Sequence, residues 1–175
     1  DYNNVEKMKQ YATQAIQLSQ KANFKKGLAT GYLYYGVYYN NMANYKYAMT
    51  YYVKALKIFE ELKDIKSLGS CYINIGSIYG TQGNYKNALA YMQKGASYKA
   101  AANDKKGTSI AFNNIGNMYS DQGNYPEAIT YLMKSLRIKE EIKDKSGISI
   151  AYNNIGLILE LQGKIDEAIA YHMKS

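Results

Sequence analysis

Asn74, Asn114 and Asn154 stand 40 residues apart, with Asn113, Asn117 and Asn153 close beside them. A carboxamide carries two N–H donors and an acceptor oxygen, so a column of them can hydrogen-bond the backbone of an extended peptide. Each amide taken singly has a plainer use, solvating a helix face or bonding the adjacent helix, because most side-chain hydrogen bonds go to backbone or water. Nothing comparable exists for catalysis. His172 is the only histidine, at a position where another unit carries Leu132, and no nucleophile, base and orienting group occur together. Glu60-Glu61 and Glu140-Glu141 are adjacent pairs, which point in different directions around a helix. Lone Cys71 permits neither an internal disulfide nor a thiolate metal cluster. The glycines lack phosphate-loop spacing and metal-ligand spacing is absent, so no enzyme activity, metal or cofactor is expected.

The elements that carry these amides repeat. Gly36, Gly76, Gly116 and Gly156 are also 40 residues apart, and Ala111-Phe112-Asn113-Asn114-Ile115-Gly116 returns as Ala151-Tyr152-Asn153-Asn154-Ile155-Gly156. A fixed period of this size marks a solenoid, in which each unit covers the apolar face of its neighbour. Phe112, Ile115, Gly116 and Tyr119 fall at i, i+3, i+4 and i+7, one face of a first helix. Glycine inside a helix costs about 1 kcal/mol relative to alanine, so its recurrence there predicts close helix approach. Gly83, Gly123 and Gly163 fit the left-handed residue that ends that helix. A second helix follows, with Tyr125, Ala128, Ile129, Leu132 and Leu136 on one face. Asn84 and Asn124 are placed to cap it, with Pro126 in its first turn and Glu127 as a capping partner of Asn124. Asp104 and Asp144 suit the cap of the next unit's first helix, whereas Phe24 leaves that entry irregular in the first unit.

Charge follows the same repeat. Lys plus Arg number 22 and Asp plus Glu 14, a formal net charge of +8. Yet residues 28–43, 68–83, 108–123 and 148–163, around the repeated glycines, hold no Lys or Arg. A nucleic-acid groove needs cations against phosphate, so none is expected there. Lys54, Lys94, Lys134 and Lys174 form a column on the second helices, read first as a solvated, solubilising face and second as a surface for an anionic partner. Tyrosine dominates the aromatics, 21 against 3 Phe and no Trp, giving packing positions a hydroxyl that can reach water. No segment reaches the roughly 20 apolar residues of a membrane span. Residues 1–4 lack the basic and apolar regions of a signal peptide, which leaves the compartment open, with a cytoplasmic setting the one favoured.

The set Phe112, Ile115, Gly116, Tyr119, Ala128 and Ser135, with Ala48, Ala88 and Ala168 at the Ala128 position, resembles the tetratricopeptide repeat (TPR). The ordinary unit has about 34 residues; the longer period here resembles Leu-Gly-Asn repeat adaptors, kinesin light chains and bacterial TPR regulators. Ile115-Gly116-Asn117 is close to the Leu-Gly-Asn signature, and Glu140 stands where the family usually has proline. Six added residues shared by two helices would lengthen each by roughly 4–5 Å. The resemblance implies an all-α fold, a right-handed superhelical solenoid of antiparallel helix pairs. It covers essentially 1–175 as one array: 4–22 as a second helix alone, then units 25–63, 64–103, 104–143 and a truncated 144–175. Neither end has the polar face of a capping repeat, so a longer array or multidomain protein is expected.

In TPR proteins the first helices line a concave face. The resemblance places Tyr34, Asn74, Ser77, Asn113, Asn114, Asn117, Asn153 and Asn154 on it, with Leu33, Val37, Ile73, Ile110 and Leu157 among them. It implies a non-enzymatic protein-interaction scaffold that binds a peptide or partner segment. With Asn, Ile, Ser and Tyr at these groove positions in place of Lys and Arg, no clamp for the terminal carboxylates of chaperones is expected. The alternative is a regulatory or sensory input domain of a sensor kinase, cyclase or transcription regulator. Self-association through exposed solenoid ends is a third expectation.

Overall fold

The computed structural model describes residues 2–175, with side chains from Glu6 onward, so Asp1 of the expected array lies outside the described residues. Among the described residues there are nine α-helices and no strand: α1 (Tyr2–Lys21), α2 (Lys25–Asn41), α3 (Tyr45–Glu61), α4 (Ile65–Thr81), α5 (Tyr85–Ala101), α6 (Lys105–Asp121), α7 (Tyr125–Glu141), α8 (Lys145–Leu161) and α9 (Ile165–His172). Seven of them, α2 to α8, have 17 residues, about 25 Å of helix. Consecutive helices pack as antiparallel neighbours. The first helices also approach one another across units, with α4 touching both α2 and α6. That places α2, α4, α6 and α8 on the inner wall and the second helices outside.

Two close crossings hold each hairpin. At the first, a Cβ on Gly76 would meet the Ala88 carbonyl oxygen at 2.9 Å, and one on Gly116 would meet the Ala128 carbonyl oxygen at 3.1 Å. The space is taken instead by Tyr52, Met92, Leu132 and His172, the equivalent residues of α3, α5, α7 and α9. The first three are fully buried. At the second crossing small residues meet: Ala29 and Ala55 are fully buried, and a Cβ on Gly95 would lie 2.9 Å from the Gly69 carbonyl oxygen. Ser135 replaces glycine there and donates to the Ser109 carbonyl oxygen at 2.8 Å. A buried hydroxyl with a partner costs little; without one it would be expensive.

Turns follow the expected chemistry with two departures. Gly83, Gly123 and Gly163 end α4, α6 and α8 at φ +74°, +71° and +74°, where a side chain would be strained, and Ala43 ends α2 at φ +53°. The second helices end in the same left-handed region on Asn23, Lys63, Asn103 and Lys143. No glycine marks those ends. Asp64, Asp104 and Asp144 accept from the backbone N–H of Ser67, Gly107 and Gly147 at 3.1, 3.0 and 3.0 Å. Asn84 caps α5 through the Asn87 N–H at 3.3 Å. Asn124, expected to cap α7, makes no such bond. Pro126 removes one donor of that first turn, leaving a single backbone target at Glu127.

The capping aspartates also fix the register of adjacent hairpins. Lys26 Nζ lies 2.8 Å from Asp64 Oδ2, and Asp104 Oδ2 receives Lys99 Nζ at 3.1 Å and Lys66 Nζ at 3.7 Å. Partial burial works to raise the Asp104 carboxyl, but the Gly107 N–H and the Lys99 and Lys66 ammonium groups outweigh it and hold it below the usual value. The Asp64 carboxyl is depressed in the same way, with burial opposed by Lys26 and Ser67. A carboxyl depressed in the folded state stabilises above its unfolded value, near pH 4, and that contribution is lost as pH falls through the folded value. Asp104→Asn keeps a capping oxygen but leaves buried Lys99 without its carboxylate, and should lose about 2 kcal/mol at pH 7. Urea melts at pH 7 and pH 3 check this: the gap to wild type narrows at the lower pH.

Candidate functional site

The inner wall folds into a cleft of about 400 Å³ that spans α2, α4 and α6. Leu33, Tyr34 and Val37 of α2 form one side, and Ile110 of α6 the other. Ser67, Ser70, Ile73 and Asn74 of α4 run along the middle, and Phe59 and Lys99 reach it from the second helices behind. Of the residues expected at the site, Tyr34 and Asn74 line this cleft. Tyr34 keeps 52% of its surface exposed and Asn74 is half-buried. Ser77, Asn114 and Asn117 are half-buried on the same first-helix wall, and Asn153 is exposed further along on α8.

Asn154 departs from the simple column. Its Nδ2 donates to Asn113 Oδ1 at 3.3 Å, linking α8 to α6 diagonally. Those two amides therefore satisfy each other in part, while Asn74 and Asn114 remain on the open wall. Ile73 is buried rather than exposed, because its side chain fills the space that Gly95 leaves.

Lys99 is the site residue that the sequence did not reveal. It belongs to α5, outside the lysine-free windows, yet its side chain crosses to the inner cleft and is only 8% exposed. The path is cut by two glycines: a Cβ on Gly69 would lie 2.9 Å from Lys99 Cγ, and one on Gly107 2.6 Å from Lys99 Cδ. The equivalent residues are Phe59, fully buried, and Lys139, buried beside Gly147. Burial pushes the Lys139 ammonium below the ordinary lysine value, partly offset by Asp144.

The lysine column on the second helices is not simply solvated. Each ammonium stacks over rings of its own hairpin: Lys94 sits 4.3 Å from the Tyr72 centroid, Lys134 4.5 Å from Tyr131, and Lys54 and Lys174 each 5.2 Å from Tyr51 and Tyr171. An ammonium over a ring face is attracted by the ring quadrupole. The repeated aromatics at 72 and 112, and at 51, 131 and 171, carry the signal for this stacking in the sequence.

Groups with reactive potential are held in structural roles. Burial pushes the Cys71 thiol up to about 12, which keeps it protonated. His172 packs against Gly156 with Nε2 3.3 Å from Glu160 Oε1. Among the described residues, no three His, Cys, Asp or Glu side chains gather as metal ligands, and no helix is long and apolar enough to cross a membrane.

This geometry, paired helices with an amide-rich inner wall, coincides with a family-model match. The tetratricopeptide repeat model matches residues 27–98 and 107–175. The chain belongs to the tetratricopeptide repeat family. TPR repeats mediate protein–protein interactions, and the family is generally a non-enzymatic scaffold. Solved structures agree on the fold, a right-handed superhelical solenoid. BtubC (BKLC) from P. vanneervenii superposes with a TM-score of 0.82 at 15% identity, over 97% of this chain and 71% of that one. Aspartyl phosphate phosphatase F from Bacillus subtilis gives 0.86 at 23% identity, over 94% of this chain and 43% of that one. A signal-transduction ATPase from Pyrococcus horikoshii with a tetratricopeptide repeat sensor gives 0.75 at 20%, over 95% of this chain and 26% of that one. At these identities the likeness concerns the fold. No functionally curated protein is similar enough in sequence to match.

Proposed function

We propose that this TPR array is an interaction scaffold without enzyme activity of its own, and that its inner wall holds an extended peptide segment of a partner protein. The observation that carries this reading is the cleft of about 400 Å³ at α2, α4 and α6, continuous with a wall of half-buried asparagines. An extended peptide brings backbone N–H and C=O groups that need partners, and Asn74 and Asn114 present both donor and acceptor. Tyr34 supplies a rigid aromatic face at one end of the row. Nucleic acid is a poorer fit, since the outer lysines are stacked on rings and the inner wall carries few cations.

Selection from a random-peptide library against the whole chain tests this. Recovered peptides should lose about tenfold or more in affinity when Tyr34→Ala and Asn74→Ala are combined. Asn154 is a poorer choice because it also bonds Asn113. Unchanged affinity, with the variant's circular dichroism melt matching wild type, would remove the groove from the account.

A second reading draws on the Pyrococcus horikoshii neighbour, whose repeats are described as a sensor. On that reading the same groove is the input site of a larger signalling protein, and a kinase, cyclase or DNA-binding domain in the flanking sequence would favour it.

A further inference from the structure

We propose that Lys99 makes this groove selective for peptides carrying an internal Asp or Glu beside a bulky apolar side chain; the proposal rests on the groove reading above. Three observations combine. First, Lys99 and Lys66 both approach Oδ2 of the single carboxylate Asp104, at 3.1 and 3.7 Å. The three groups together carry a net charge of +1, with Lys66 largely exposed to solvent and Lys99 buried against the cleft. An ammonium has three donors, and Lys99 makes one side-chain hydrogen bond, to Asp104. Second, the lysine is guided to the cleft. Gly69 on α4 and Gly107 on α6 leave a slot that any side chain at either position would obstruct. Third, the same cleft is apolar at its other end, where Phe59 occupies the position equivalent to Lys99 and Leu33 and Val37 stand in front of it.

A ligand matching both ends places an apolar side chain toward Phe59 and a carboxylate toward Lys99. Beside a lysine whose own side chain is almost wholly buried, a charge-assisted hydrogen bond is stronger than a neutral one. The inner wall continues past Lys99 along α6 and α8, so the peptide chain passes through rather than ending there. A side-chain carboxylate, rather than the terminal one, is therefore the group expected. The lysine-free windows of the first helices concealed this charge, because it enters from the second helix.

The test uses peptides recovered from the random library on the whole chain. The expected consensus holds an Asp or Glu at a fixed offset from a large apolar residue. Converting that acid to its amide in the synthetic peptide should weaken binding about tenfold or more. C-terminal amidation should leave binding unchanged. Lys99→Met should weaken the acidic peptide by a similar factor and leave the amide version unaffected. The peptide arm needs no protein variant, so a folding defect in Lys99→Met cannot mask the answer. Groove-bound peptides without an acid, or equal losses for both peptides in Lys99→Met, would overturn the proposal while leaving the groove reading intact. Sensitivity to C-terminal amidation in place of the internal acid would assign Lys99 to a terminal carboxylate and overturn it too. If no recovered peptide responds to the Tyr34 and Asn74 substitutions, both readings fall together.

Discussion

Gly76→Val is expected to destabilise the array by about 3 kcal/mol, near the upper end of what overpacking costs. Gly76 lies in the middle of α4, and the atoms a new Cβ would meet include the Ala88 carbonyl oxygen at 2.9 Å and the Met92 backbone nitrogen at 3.1 Å. Backbone of a packed helix cannot rotate aside as a side chain can. Relief requires α4 and α5 to separate, which also opens the Gly69–Gly95 crossing one end of the hairpin depends on. Urea unfolding of the whole chain followed by circular dichroism measures the loss. Gly83→Ala is the contrasting variant: its Cβ would meet nothing within 4 Å, but φ is +74°, so a smaller loss of about 1 kcal/mol is expected. Equal losses would mean that backbone conformation, not close approach, explains the helical glycine.

Leu132→Ala should cost about 3–4 kcal/mol, the usual result of emptying a sealed apolar site. Leu132 is fully buried and packs over Gly116 in the cluster shared with Leu136, Ile155 and Leu159. The same contact makes a second, sharper expectation. A Cβ on Gly116 would lie 2.9 Å from Leu132 Cγ, so Gly116→Ala alone gains helix propensity but forces that side chain to move. In the Leu132→Ala background the side-chain obstruction is gone and the Ala128 carbonyl oxygen at 3.1 Å is the close neighbour left, so the same substitution should become less costly by about 1 kcal/mol or more. Additive losses would show that the two residues do not share the space.

The repeat made much of this legible. Glycines every 40 residues, with apolar residues at helical spacing around them, predict both the helix pairs and their closest approach. Gly83, Gly123 and Gly163 mark helix ends because left-handed backbone favours glycine, and Asp104 and Asp144 mark helix starts because the cap needs an acceptor. What escaped depended on contacts between units. Lys99 looks like one more outer lysine until Gly69 and Gly107 are seen to flank it, and those glycines lie on different hairpins. The Asn154–Asn113 bond likewise joins α8 to α6, one residue off the repeat register, so no periodic reading isolates it. Lys63 and Lys143 close their helices at φ +53° and +56°, a role lysine composition does not announce.

The central claim is that partners are held on the inner wall. Titrating the isotopically labelled chain with a library-selected peptide, and following backbone amide and lysine ammonium resonances, tests it most directly. Shifts are expected on the inner faces of α2, α4, α6 and α8 and at Lys99 Nζ, with the ring-stacked Lys54, Lys94 and Lys134 unmoved. Shifts centred on those outer lysines and their tyrosines, with the asparagine wall silent, would contradict it.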